Sequence, residues 1–144
     1  MLSRIIMKRH LFTFFATAIA AAGFQAAVAE LPPYVYEERK AGAPEHLELK
    51  IVSSEVTEKK EGDTTSAQVK ATAEVVSVKR TRARLKPGES IVISYGTITK
   101  RPAGWAGPSS PGVLTKDMKV IAWLAKEEDG TYAPVAGGQS FAQP

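Results

Sequence analysis

Apolar and polar residues alternate along the centre of the chain with the two-residue period of β-strands. Leu47, Leu49 and Ile51 alternate with mostly polar neighbours, which predicts a half-buried strand. Residues 69–78 show the same alternation with valine and alanine, and residues 90–98 are rich in β-branched side chains. These two segments predict a second and a third strand.

Turn signals separate the predicted strands. The polar stretch 58–65 contains Gly62-Asp63, a natural hairpin connection. Lys-Pro-Gly-Glu at residues 86–89 predicts a turn, and Gly96 inside the third strand indicates a bulge or sharp bend. Two further strands are expected at residues 118–124 and 132–135, on either side of an acidic turn. Five or more strands joined by turns predict a small, closed or partly open β-barrel.

Two segments lack any sustained period. Residues 30–46 are led by prolines and charged, and predict an N-terminal arm before a barrel domain at residues 47–144. In an extended arm, Tyr34 and Tyr36 lie on one face, where they pack against the barrel or stack on a ligand. Residues 101–112 are rich in glycine and proline, which predicts a long irregular loop.

Residues 1–29 have the order of regions found in secretory signal peptides. A basic leader precedes an apolar run at residues 11–22, and Ala27-Val28-Ala29 supplies a cleavage pattern. The apolar run is shorter than the roughly 20 residues that span a bilayer, which favours cleavage over an uncleaved anchor. We therefore expect an exported protein of the periplasm or extracellular space, without a stable membrane anchor after cleavage.

Removing the predicted leader changes the charge balance. The chain has 19 Lys and Arg against 15 Asp and Glu. The leader contains three of the cationic residues and none of the acidic ones. The remaining chain therefore has 16 cationic and 15 acidic residues, a net charge of +1. This near-neutral balance gives no reason to expect a nucleic-acid partner.

Few residues are suited to metal binding. The chain has no cysteine, and His46 is the only histidine after the leader. Thiolate chemistry is therefore excluded, and a zinc site needs three or four ligands. We expect no metal and no cofactor, and we expect His46 to be a surface or packing residue.

The sequence also gives little support for catalysis, and we predict no catalytic residue. Ser109-Ser110 lack the flanking pattern of a nucleophile elbow. The acidic pairs Glu37-Glu38 and Glu127-Glu128 are adjacent in sequence, whereas glycosidase carboxylates face each other across a substrate. Residues 137–140 lack the lysine of a phosphate-binding loop.

Several motifs, taken in order, resemble the netrin-like domain. The turn at residues 86–90 (KPGES) followed by IVISY at residues 91–95 is similar to its first hairpin. Other motifs resemble bacterial exported proteins similar to tissue inhibitors of metalloproteinases: Gly104-Trp105-x-Gly107-Pro108, a helical turn near Leu114, Ala122-Trp123-Leu124, Tyr132-x-Pro134 and residues 137–141 (GGQSF). The resemblance covers residues 47–141 and implies a five-stranded OB-type barrel with short helical turns, a fold widely used for binding.

This chain departs from that family at the inhibitory residue. The family's inhibitors act through an amino-terminal cysteine whose amine and carbonyl chelate the protease zinc. Here the predicted mature chain begins Glu30-Leu31-Pro32, and no cysteine exists. Because a fold alone does not give function, inhibition of a metalloproteinase through the arm (residues 30–36) is kept only as the alternative hypothesis.

The strongest local charge pattern is the basic segment, residues 79–86. Arg80, Arg82 and Arg84 alternate, and Lys86 follows. On an extended strand the three guanidinium groups lie on one face, about 7 Å apart. Arginine suits sulfate, phosphate and carboxylate groups, which predicts an anionic polysaccharide or lipid headgroups as the ligand, in preference to nucleic acid. The alternative is a solvated hairpin whose charges prevent edge-to-edge aggregation.

Trp105 is the second candidate binding residue. An aromatic side chain in a long loop can stack on a sugar or fill a pocket of a partner, or else close the end of the barrel as a lid. Trp123 lies within an apolar run (MKVIAWL) and is expected in the core or the barrel wall.

The leading hypothesis is an exported, non-catalytic binding module of the cell envelope or extracellular space. It recognises a protein or an anionic polysaccharide through the basic segment and the loop around Trp105. The alternative is a protease inhibitor acting through its N-terminal arm. A third hypothesis is a structural component of the envelope without a small ligand.

Overall fold

The computed structural model of the protein describes residues 30–144, so the predicted signal peptide lies outside the described residues. Its elements are α1 (Pro33–Gly42), β1 (Glu45–Glu61), β2 (Thr64–Thr81), β3 (Ser90–Lys100), β4 (Lys119–Lys126), β5 (Tyr132–Pro134), a 3₁₀ turn (Gly137–Gln139) and β6 (Phe141–Ala142). Within residues 30–144, no helix is long and apolar enough to cross a membrane.

Five strands close into a barrel, which confirms the predicted small β-barrel. The hydrogen-bonded order is β1-β2-β3-β5-β4, and β4 pairs with β1 to complete the ring. The β3–β5 pair is parallel and the other pairs are antiparallel, while β6 adds to β4. With 17 and 18 residues, β1 and β2 are longer than the short strands predicted. Their turn at Gly62-Asp63 begins with glycine at φ 59°.

Alternate residues of the strands fill the barrel interior. Leu47, Leu49 and Ile51 of β1 are completely buried, as their period predicts, together with Ile93 of β3 and Leu124 of β4. Each such side chain contributes about 1.5–3 kcal/mol to stability when it leaves water. Burial of this apolar set stabilises a domain that has no disulfide.

The connection between β3 and β4 enters the barrel at Leu114, which is 1% exposed. The hydroxyl of Tyr95 donates to Gly112 O at 2.6 Å and accepts from Leu114 N at 3.0 Å. Burial raises the pKa of Tyr95 to about 12. The predicted helical turn near Leu114 is wrong, since residues 111–115 have no helical structure.

Much of the predicted arm is helical, and β1 begins at Glu45 instead of Leu47. Pro33 occupies the first turn of α1, where its missing N–H costs no helical hydrogen bond. Arg39 and Lys40 lie in the last turn, where positive charge complements the helix dipole. The helix places Tyr36 in the interior and leaves Tyr34 63% exposed, so the two tyrosines do not share a face.

The predicted bulge at Gly96 is also wrong. The register between β2 and β3 is continuous from Ser66 to Glu74, through the pair of Gln68 and Gly96. A Cβ at Gly96 would lie 2.9 Å from Nε2 of Gln68. The glycine therefore makes room for a cross-strand side chain, and the register shift of this strand pair lies between Thr65 and Ser66.

Replacing Tyr95 by phenylalanine is expected to lower the free energy of unfolding by about 1–3 kcal/mol, because the buried N–H of Leu114 loses its acceptor. Unfolded tyrosine titrates near pH 10, whereas Tyr95 in the folded protein titrates near 12. The stabilisation should therefore be complete below about pH 10 and be lost as the pH rises toward 12. Urea unfolding of both proteins across this range measures the difference, and a difference independent of pH would contradict the assignment.

Candidate functional site

Ser110 is one of the residues that join the Trp105 loop, residues 101–118, to β3, together with the Tyr95 bonds described above. Ser110 Oγ lies 3.1 Å from Thr97 Oγ1, accepts from Ile98 N at 3.1 Å and lies 3.3 Å from Ile98 O. Arg101 donates to the same oxygen at 2.9 Å. The hydroxyl thus joins both ends of the glycine- and proline-rich stretch, and gives the irregular chain a defined path.

Trp105 lies on the outer side of this loop and is 45% exposed. Its ring packs on Gly107, where a Cβ would lie 2.5 Å from the nearest ring carbon. The guanidinium carbon of Arg101 is 5.4 Å from the ring centroid, within the range of a cation–π interaction. Trp105 is therefore held on two sides while much of it contacts solvent. Leu114, not Trp105, supplies the buried side chain of the loop.

An open groove of about 450 Å³ adjoins this tryptophan. Residues 97–99 of β3 form one wall, Arg101 forms part of the rim, and residues 109–113 form the other wall. Arg101 also contacts Trp105, so its side chain links the groove to the aromatic ring. The groove, Arg101 and Trp105 offer hydroxyl groups, a cation and an apolar ring to a partner.

The predicted arm meets the Trp105 loop at a buried junction. Tyr36 is 2% exposed, donates its hydroxyl to the carboxylate of Glu30, and lies 3.0 Å from Ser109 Oγ. Ser109 Oγ also accepts from Gly138 N at 3.2 Å, and Glu30 N donates to Ala106 O at 3.0 Å. A Cβ at Gly138 would lie 2.5 Å from Ser109 Oγ, so the approach requires glycine.

The basic segment does not have the predicted extended form. β2 ends at Thr81, and Arg84 has φ 60°, a left-handed conformation. The arginines therefore do not form a row on one strand face. Arg80 instead binds the end of α1, donating from Nε to Ala43 O at 2.7 Å and from Nη2 to Lys40 O at 2.8 Å. Its guanidinium thus supplies a donor for Ala43 O just beyond the helix, and adds a second donor to Lys40 O, which also accepts from Ala43 N at 3.2 Å.

A buried carboxylate shapes the rest of the basic segment. Glu45 is 1% exposed, and its Oε1 accepts from Arg82 N at 3.0 Å and from Ala83 N at 2.8 Å. The side chains of Arg82, Arg84 and Lys86 remain exposed. Glu45 is not among the residues predicted from the sequence to be buried. The signal is present, since Glu45 lies two residues before Leu47 and so continues the alternation of the buried leucines of β1.

The two candidate surfaces lie at opposite ends of α1. Glu30 and Tyr36 bring the start of the helix to the Trp105 loop, whereas Arg80 binds the carbonyls at its end. A ten-residue helix is about 15 Å long. The Trp105 loop and the basic segment thus contact different parts of α1.

His46 and Trp123 belong to the packing between α1 and the barrel wall. Their rings stack with centroids 4.8 Å apart, and Lys40 Nζ lies 4.9 Å from the Trp123 centroid. Burial lowers the pKa of His46, and the positive charges of Arg80 and two neighbouring lysines lower it further. A neutral imidazole is thereby favoured beneath the end of the helix.

The remaining candidate groups do not converge. Glu37 forms an ion pair with Lys40 at 2.9 Å, and Glu127 and Glu128 are exposed in a turn. Among residues 30–144, no cluster of three His, Cys, Asp or Glu side chains could hold a metal ion.

The chain matches no known protein family, no curated protein and no solved structure.

Replacing Ser110 by alanine should loosen the Trp105 loop, because Ile98 N and Arg101 lose a shared acceptor. We expect the free energy of unfolding to fall by about 1–2 kcal/mol, and chymotrypsin to cleave faster after Trp105. Ser66→Ala is the matched control, since its hydroxyl makes one long, exposed bond to Lys59 O at 3.4 Å. Equal cleavage of the two variants would show that Ser110 does not fix the loop.

Replacing Arg80 by alanine should lower the free energy of unfolding by about 1–2 kcal/mol, because Ala43 O loses the donor that Arg80 supplies and Lys40 O keeps only the backbone N–H of Ala43. Arg82→Ala removes the same charge from an exposed side chain and should change stability by less than about 0.5 kcal/mol. Thermal unfolding of the two variants makes the comparison. A similar loss in both would contradict the capping role of Arg80.

Proposed function

We propose that the protein is an exported, non-catalytic binding module whose partner contacts the surface around Trp105. The partner is a protein or an anionic glycan of the cell envelope or extracellular space. The observation that carries this proposal is the position of Trp105, which is half-exposed yet held by Gly107 and Arg101. Large aromatic side chains and arginine often supply most of the binding energy at interfaces.

Preorganisation supports this use of the loop. Binding costs free energy when side chains and loops become ordered in the complex. Here Ser110 joins the loop to β3, and Tyr95 and Leu114 hold its second half. A partner would meet a tryptophan whose position is already defined, with a cation and a groove beside it.

We also propose that the barrel is of the OB type, resembling the netrin-like domain. The closed order β1-β2-β3-β5-β4 and the parallel β3–β5 pair support this assignment. OB barrels commonly bind ligands on their outer surface and loops. The barrel then serves as a rigid support for the connecting segments.

The bonding of the two loop serines supports the absence of catalysis. Ser109 is shared between Tyr36 and Gly138, and Ser110 is occupied by β3 and Arg101. Neither serine lies beside a histidine, because His46 stacks on Trp123. These contacts describe structural hydroxyls and not an activated nucleophile.

Inhibition of a protease through the N-terminal arm is the second candidate function. It is favoured by one observation, the bond from Glu30 N to Ala106 O, which places the start of the arm beside the Trp105 loop. An inhibitor of this type would present the amine of Glu30 and Trp105 on one surface. It would have to do so without the cysteine on which the resembled family depends.

Trp105→Ala should abolish capture of the partner from envelope extract, while Arg82→Ala/Arg84→Ala should leave it intact. The measurement is a cross-linking pull-down with the purified protein at low and moderate salt. A protein retained at both salt concentrations supports the Trp105 surface, since apolar contacts are insensitive to screening. If capture is unchanged by Trp105→Ala but is lost in the Arg82→Ala/Arg84→Ala variant, binding is assigned to the basic segment.

A variant with residues added before Glu30 distinguishes protease inhibition through the arm from partner binding through Trp105. Protease inhibition through the arm should vanish when the amine is displaced, whereas partner capture through Trp105 should persist. A structural envelope component predicts that none of these changes affects any binding.

A further inference from the structure

The outer half of β1 has a free edge. β4 pairs with β1 only as far as Lys50, followed by bonds from Ile51 N to Met118 O and from Asp117 N to Ile51 O, both at 2.8 Å. Asp117, at φ 70°, then turns the chain away from the sheet. Among the described residues, the backbone of residues 52–61 pairs with β2 alone.

A free edge of this length is a template for another strand. It has ten residues, whereas most strands have about five or six. Unpaired N–H and C=O groups along such an edge favour the addition of a further strand. Two features of this edge would favour a further strand: Val56 is 40% exposed, and Ser54 Oγ is buried without a hydrogen-bond partner among residues 30–144.

The side chains along this edge restrict what can pair with it. Glu55 lies opposite exposed Lys70 of β2, so it is on the outer face of the sheet. Lys59 lies four residues further along on the same face, and Thr57 lies between them. Two copies related by a two-fold axis would pair these strands antiparallel, with outer residues opposite outer residues.

Charge decides among the possible registers of such a pair. Placing residue 55, 58 or 59 on the axis sets it opposite its own copy, which brings like charges together. Val56 on the axis creates no charge pair. With Thr57 on the axis, Glu55 of each copy lies opposite Lys59 of the other copy, and the two Thr57 side chains lie opposite each other. Opposite charges and threonine pairs stabilise neighbouring strands.

We propose that two copies of this chain form a dimer through β1 residues 53–61, with Thr57 on the two-fold axis. The sheets of the two copies then join across the β1 edges. Because the strands run antiparallel, the two barrels lie at opposite ends of the shared ladder. The interface does not include the Trp105 loop, so it is independent of the proposed partner binding.

Sedimentation velocity over a concentration series tests this dimer, using protein purified from cells that express the full chain. Glu55→Lys should weaken dimerisation about tenfold, because it replaces two attractive pairs by two repulsive ones. Glu55→Lys/Lys59→Glu should restore it, since the pairs re-form with their signs exchanged. Glu58→Lys is the control, because it changes the net charge equally but lies opposite Val56.

Circular dichroism should show that every variant keeps the fold, since these side chains are exposed. A protein that stays monomeric at all concentrations would overturn the proposal. A dimer that is indifferent to Glu55→Lys, or not restored by the double exchange, would overturn the register and with it the proposed interface.

Discussion

The structure depends on hydroxyl groups that fix an irregular loop to a barrel without covalent cross-links. Ser110 joins the loop to β3, Tyr95 holds the backbone of Leu114, and Ser109 joins Tyr36 to Gly138. Many small domains use disulfides for this purpose, but this chain has no cysteine. Buried hydrogen bonds contribute less than a disulfide individually. Several of them, acting on one loop, restrict it at both ends.

This arrangement has a consequence for the surface of the molecule. α1 separates the Trp105 loop from the basic segment, and Arg80 binds the end of that helix. The positive charge of Arg80 therefore has a structural partner, while Trp105 has an open side toward solvent. The two regions that look equally suited to binding in the sequence differ once their contacts are known. This difference is why the proposed function is assigned to the Trp105 loop.

The barrel could be predicted from the sequence because its strands have a simple period. Leu47, Leu49 and Ile51 alternate as a half-buried strand requires, and turn residues divide the segments. The helix could not, since α1 buries only Tyr36 and so leaves no apolar stripe. Alternation of Arg80 and Arg82 suggested a strand, but the carboxylate of Glu45 binds the backbone that follows and ends it. A contact between residues distant in sequence leaves no local pattern.

The central claim is that the Trp105 loop is ordered before any partner binds. Measurement of ¹⁵N relaxation for the backbone of residues 101–118 and the indole N–H of Trp105 tests it most directly. The hydrogen bonds of Ser110 and Tyr95 predict order parameters close to those of the barrel strands, about 0.85. Values below about 0.6 for Trp105 and its neighbours would contradict the claim, because the tryptophan would then sample many positions.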